Sequence, residues 1–168
     1  QWISNGHRYN LVDDAAINWL EANAIANGKQ FNGLKGHLVT ITSEAENQFL
    51  VDNFGANLRD RWIGGFQAEG APEPNGGWTW VTGEVWQYTN WDPVEPNNAY
   101  GNENALIFTA EGALWNDKDA SDNAHWIPGY VIEYCSVSKP VPEPTSILLL
   151  GVALAGLISF KRKKKFKK

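Results

Sequence analysis

One cysteine, Cys135, stands in 168 residues, so no disulfide can form within the chain and the fold must rest on its packing. Methionine is missing altogether and Gln1 holds the first position. A reading frame opens with Met, so the chain is expected to be a fragment or a processed product, with an export signal upstream. Histidine is scarce too. His7, His37 and His125 show no metal-ligand spacing and are expected to be structural or exposed. Half of the basic residues lie in one place, seven of the fourteen standing in the final KRKKKFKK. Residues 1–160 hold seven basic against nineteen acidic groups, a net charge of −12. Such a surface excludes nucleic acid as the expected partner and suits cations. No Ser-His-Asp, Cys-His or phosphate-loop arrangement is visible, so no enzyme is expected.

Aromatic residues, by contrast, are plentiful. Nine tryptophans in a chain that is 43% hydrophobic supply ample material for a core. RYNLV (8–12) reads as a first strand, and Asp13 and Asp14 then stand where a helix N-terminus favours acids. Ala16, Trp19, Leu20 and Ala24 recur at helical spacing, with Gly28 as the stop. HLVTIT (37–42) is β-rich. Ser43-x-x-Glu46 forms a capping box for a second helix, EAENQFLVDNF, which Gly55 ends. RWIGGF, GWTWV, NALIF and GYVIEY are short strands separated by turn-rich stretches. Helices early and strands late indicate an α+β domain over residues 1–135, with small antiparallel sheets and a long loop region.

The remaining residues divide into three. SVSKPVPEP (136–144) is a Pro-rich linker, and TSILLLGVALAGLISF (145–160) is uncharged and reads as a membrane-crossing hydrophobic helix. Residues 161–168 form a basic tail expected on the cytoplasmic side. Sixteen residues at ~1.5 Å each span roughly 24 Å, short of the ~30 Å of a hydrocarbon core, a gap that snorkelling lysines or local thinning closes.

Chemistry concentrates in EPNNAYGNEN (95–104). Its carboxylates and amides, without His or Cys, are hard oxygen ligands of the kind Ca²⁺ takes. Asn116 and Asp117 in LWNDKDASD add an amide and a carboxylate from a second loop. Glu95, Asn97, Glu103, Asn116 and Asp117 then make a five-residue candidate set, completed by backbone or water oxygens. An EF-hand over residues 117–128 is excluded because Asp122 and Pro128 occupy its Gly and Glu positions. A glycosidase pair of Glu95 and Glu103 is the weaker reading. Trp78, Trp80 and Trp115 are expected in the core, and Trp91 and Tyr100, which flank the loop, beside a ligand.

Several motifs together resemble the C-type lectin-like domain. GHLVTITSEAENQFL, WIGG (62–65), WTWVTGEVWQYTNW, EPN (95–97), Glu103 and WND (115–117) follow one another in that family's order over nearly all of residues 6–134. The resemblance implies that Glu95, Asn97, Glu103, Asn116 and Asp117 ligate Ca²⁺. It also implies that Glu95, Asn97, Glu103 and Asn116 contact a carbohydrate through vicinal hydroxyls. EPN implies mannose, glucose or GlcNAc, and a cis bond before Pro96. The family's bridging cysteines are replaced, as at Ala105 and Ile132. Asn98 and Asn104 stand where an auxiliary calcium site takes Asp, which argues against a second strong site. VPEP (141–144), the apolar run and the basic block resemble a PEP-CTERM sorting signal. That implies an exported bacterial envelope protein, anchored through 145–160 or released by an exosortase-type protease. The competing expectation is a lectin-like fold used for adhesion or matrix structure without sugar binding.

Overall fold

A computed structural model describes residues 6–109 and 114–135. The linker, hydrophobic helix and basic tail expected over 136–168 lie outside the described residues. Among the described residues, no helix is long and apolar enough to cross a membrane.

The first strand, β1 (Arg8–Asp13), absorbs Asp13. Helix α1 (Trp19–Gly28) therefore starts later than the acidic pair suggests, and Asn18 caps it by accepting the Glu21 N–H at 2.9 Å. Ala16 lies outside the helix, in a left-handed conformation (φ 64°). The buried stripe is consequently Trp19, Ala22 and Ala26 rather than the stripe read through Leu20, which is exposed. Asp13 instead takes a hydrogen bond from the Arg61 guanidinium, which also donates to the carbonyls of Val12 and Asn57.

Two short strands, β2 (Gln30–Phe31) and β3 (Leu34–Leu38), form a hairpin. Only the first two residues of HLVTIT are strand: Val39, Thr40 and Ile41 leave the ladder yet stay buried. Helix α2 (Glu44–Phe54) starts at Ser43, whose hydroxyl accepts the Glu46 N–H at 3.2 Å. The return half of the capping box is shifted by one residue. Glu46 takes the N–H of Thr42, at 2.9 Å, and the Tyr9 hydroxyl at 2.6 Å.

Strands β4 (Arg61–Gln67), β5 (Trp78–Trp80), β6 (Ala105–Phe108), β7 (Trp115–Lys118) and β8 (Gly129–Cys135) complete the sheet. Its order is β2-β3-β8-β4-β6-β7, with β1 also on β8 and β5 on β4. One pair, β4 with β8, is parallel, so the sheet is mixed rather than purely antiparallel. The cause is that β8 is shared: β1 lines it throughout, while β3 pairs with its second half and β4 with its first residues.

Alternation along the central strands divides the core in two. Ile63, Leu106 and Val131 join α2's Leu50 and the tryptophans 78, 80 and 115. Trp62, Ile107 and Ile132 join α1's Trp19, Ala22 and Ala26. Two indoles tie α1 and the residues leading into it to β4. Trp19 Nε1 donates to the Ile63 carbonyl and Trp62 Nε1 to the Ile17 carbonyl, each at 2.8 Å. Ala105 and Ile132, where family cysteines are expected, are buried in that same cluster.

Gly64 shows why WIGG needs its glycines. A Cβ there would lie 2.7 Å from the Leu38 carbonyl oxygen and 2.9 Å from Val81 Cγ2. Gly64→Ala is expected to cost about 1–3 kcal/mol by overpacking, whereas Gly28→Ala, at the end of α1 and into open space, is tolerated or mildly stabilising. Thermal denaturation of the two variants checks this, and an unshifted midpoint in Gly64→Ala counts against the close approach.

Candidate functional site

The long segment between β5 and β6 is held at its root by aromatic packing. Trp91 bridges to Trp115, Asp92 N–H donates to the Trp115 carbonyl at 2.9 Å, and Trp115 N–H to Asn90 at 2.8 Å. Trp91 packs 5.0 Å from Trp78 and 6.1 Å from Trp115, ring centre to centre. Its ring belongs to the core's margin rather than to a ligand face, unlike the expectation. Trp78, Trp80 and Trp115 are buried, as expected. Tyr100 is fully exposed.

Beyond this root the loop closes around one carboxylate. Asp117 has no exposed surface, and its two oxygens accept the N–H groups of Asn97 (3.0 Å) and Asn98 (2.7 Å). A buried carboxylate needs such donors. Glu103, also buried, accepts the Ala99 N–H at 2.8 Å, while its own N–H goes to Asn98 Oδ1 at 3.0 Å. Asn104 Oδ1 accepts the Ala120 N–H at 3.2 Å. Asn98 and Asn104 thus spend their amide oxygens on the backbone. The Glu95–Pro96 bond is cis, as is Glu73–Pro74.

The five residues singled out from the sequence fall on two adjoining segments. Glu95, Asn97 and Glu103 come from the loop, and Asn116 and Asp117 from β7. Asp117 touches the Asn97 backbone directly, and Glu95 and Glu103 lie within the reach of its charge. Burial first, then the hydrogen bond and charge of Asp117 and the charges of Glu103 and Asp92, push the Glu95 carboxyl up to about 7. Burial also raises Glu103, partly offset by the Ala99 N–H. Among the described residues, Glu95 Oε2 and Asn116 Oδ1 are buried oxygens that accept no hydrogen bond. An oxygen of that kind, in a carboxylate-rich setting, fits a hard divalent cation.

A second cluster was not legible from spacing. His7, Glu46 and Glu133 bring one ligand atom each within 4.8 Å of one another. Here His7 Nδ1 pairs with Glu133, which also accepts the Thr40 N–H at 3.0 Å, and Tyr9 and Thr42 engage Glu46. The hydrogen bond that His7 donates to Glu133 raises His7 against the opposing effect of burial, and burial raises Glu46. The only signal was the pairing of β1 with β8, which sets His7 one residue before Arg8 and its partner Tyr134. The 119–127 turn adds a candidate that carries no sequence signal, half-exposed Trp126, with Lys118 at the end of β7 beside it.

A domain of two helices and a mixed sheet, with a carboxylate-lined loop docked on β7, is the architecture of a C-type lectin-like binding domain. The chain belongs to the C-type lectin family: the Lectin C-type domain matches residues 16–127. The family is non-enzymatic. A PEP-CTERM protein-sorting motif matches residues 140–163, which marks the protein as exported and sorted to the cell surface. Halomucin of Haloquadratum walsbyi is 33% identical over 144 residues, covering 77% of this chain and 1% of that protein. The low affinity immunoglobulin epsilon Fc receptor of Mus musculus is 32% identical over 117 residues, 67% of this chain and 32% of the receptor. The chain thus spans about a third or less of these curated relatives. Among solved structures, the C-type lectin CEL-I from Cucumaria echinata superposes with a TM-score of 0.62 at 25% identity, over 80% of this chain and 94% of that one. The carbohydrate-recognition domain of cow CD23, solved in the presence of a GlcNAc2Man3 oligosaccharide, gives 0.59 at 26% identity, over 79% and 88%.

The raised groups share one sign. A carboxyl or imidazole raised in the folded state contributes stability that is full below its ordinary value and is lost as pH rises through the raised one. For Glu95 that window runs from 4.5 to about 7, and for His7 it opens above 6.5. In chelator-treated protein, the melting temperature is expected to fall between pH 5 and 8. Glu95→Gln removes its share of the fall below pH 7, leaving that of Glu46 and Glu103, and His7→Gln removes a share above 6.5. Melting curves across this range check it, and identical slopes in all three proteins count against the assignment.

Proposed function

We propose that the domain binds a neutral carbohydrate through one Ca²⁺ held by Glu95, Asn97, Glu103, Asn116 and Asp117. The observation that carries this reading is the pair of buried, unpartnered acceptor oxygens, Glu95 Oε2 and Asn116 Oδ1, beside the buried carboxylate of Asp117. Three carboxylates supply the negative charge and two amides supply neutral oxygens, a hard set with no soft ligand. Backbone N–H groups of Asn97, Asn98 and Ala99 orient Asp117 and Glu103, leaving the chain little to reorganise on binding.

When bound, the ion would supply a positive centre that attracts two vicinal hydroxyl oxygens of the sugar. The Glu95 and Glu103 carboxylates accept hydrogen bonds from those hydroxyls, and the amide nitrogens of Asn97 and Asn116 donate to them. The EPN order selects mannose, glucose or GlcNAc, a reading supported by the oligosaccharide used with the similar cow CD23 domain. The ligand in place would be a cell-surface or extracellular polysaccharide. The sorting motif presents the domain at the envelope, with residues 145–160 as its membrane segment until an exosortase-type protease removes them.

Calorimetry tests the reading. Calcium is expected to bind one site per chain. Glu95→Gln is expected to weaken it at least about tenfold, equivalent to ~1.4 kcal/mol, and to abolish calcium-dependent retention on mannose, glucose or GlcNAc resins. Saturating calcium reverses the Glu95 part of the pH trend, because the cation then stabilises ionised Glu95. Unchanged calcium affinity in Glu95→Gln removes this loop from the mechanism. Calcium binding without retention on any of the resins favours an adhesion or matrix role.

A further inference from the structure

On β7 the burial alternates, Trp115 and Asp117 inward and Asn116 and Lys118 outward. Side chains two apart on one face of a strand stand about 6.6–6.8 Å from each other. Lys118 is thus the next side chain along the face that Asn116 presents, and its ammonium lies 5.4 Å from the centre of the Trp126 ring. Lys118 Nζ is also paired with Asp122 Oδ2 at 3.0 Å. An ammonium has three donors, so donors remain for another acceptor.

Trp126 is 52% exposed although Ile127 next to it is wholly buried. The segment that carries it is fixed by its own hydrogen bonds. Asp119 Oδ1 accepts from Ser121 N–H (2.8 Å) and Asp122 Oδ1 from Ala124 N–H (2.9 Å). Ile127 N–H donates to Ala124, and Trp19 N–H to Ala120, each at 3.0 Å. The same segment is tied to the proposed calcium loop, since Asn102 Nδ2 donates to Asp119 Oδ2. A large, half-bare indole therefore stands on a fixed segment beside Lys118, the side chain one step along β7 from Asn116.

We propose that Lys118 and Trp126 form a second sugar subsite, which takes the residue adjoining the one at the calcium. This rests on the reading that a sugar sits at Glu95, Asn97, Glu103 and Asn116. The part of the indole that Lys118 leaves bare covers the C–H face of a pyranose, and the ammonium donates to a hydroxyl or ring oxygen at the edge of the stacked sugar. The pairing with Asp122 keeps Lys118 over the ring instead of in solvent, so little rotamer freedom is lost on binding. The domain accordingly prefers an oligosaccharide to its own monosaccharide unit.

The test uses the full chain with calcium and three probe pairs: methyl mannoside with mannotriose, methyl glucoside with maltotriose, and GlcNAc with chitotriose. For the pair that binds, the trisaccharide is expected to bind about tenfold tighter than the monosaccharide, a difference of ~1.4 kcal/mol. Trp126→Ala is expected to reduce that preference to the roughly threefold of simple site counting, with monosaccharide and calcium affinities unchanged. Trp126→Phe retains most of it, and Lys118→Ala loses part. A trisaccharide preference that survives Trp126→Ala overturns the subsite, as does its absence in the unaltered protein that still binds the monosaccharide. If no monosaccharide binds with calcium present, the sugar reading itself fails and the subsite with it.

Discussion

A carboxylate sealed from water must be satisfied by fixed donors, and Asp117 is sealed completely. Its donors are the backbone of the residues that follow the cis peptide, so the interior of β7 dictates the path of the long loop. Glu103 repeats the arrangement through Ala99. The loop is therefore ordered around negative charge instead of around apolar packing. That choice leaves Glu95 crowded by Asp117, Glu103 and Asp92, a configuration that suits a cation better than it suits the bare chain.

The same strand carries the other half of the support. Trp115 precedes Asn116 and packs edge-on against Trp80, Tyr88 and Trp91. Its indole N–H reaches Asn47 of α2 at 3.3 Å. Where a small secreted domain ordinarily relies on cross-links, this one relies on interlocked indoles: Trp19 and Trp62 join α1 to β4, and the aromatic group around Trp115 joins the loop's root to α2. Loss of a native disulfide typically costs ~2–5 kcal/mol. The burial of Trp19, Trp62 and Trp115, each hydrogen-bonded through Nε1, offsets a loss of that order.

Much of this was legible in the residues. The second helix carries a local signal, Ser43 with Glu46, and the structure begins it there. The core tryptophans stand at strand spacing, and the strand runs fall close to their observed places. The first helix was misread because Asp13 is as good an N-terminal acid as it is a partner for Arg61, a residue 48 positions away. Only tertiary contact decides between those uses. The parallel β4–β8 pair was equally out of reach, since it depends on β8 being shared among three strands. At the site, residue types were readable, but the role of Asn98 was not. Its left-handed backbone (φ 47°) and its hold on Glu103 arise from the turn it makes. Trp126 offered no periodicity at all, and its exposure follows from the turn over Ile127.

The pairing of β1 with β8 sets Arg8 opposite Tyr134. The main chain thus comes into the domain and goes out of it at neighbouring strands, about 5 Å apart. From the standpoint of a longer polypeptide, the whole lectin unit occupies no more room than the foot of a hairpin. A unit so built can be spliced into a host loop, or hung as a pendant from one tether, without redirecting the chain on either side.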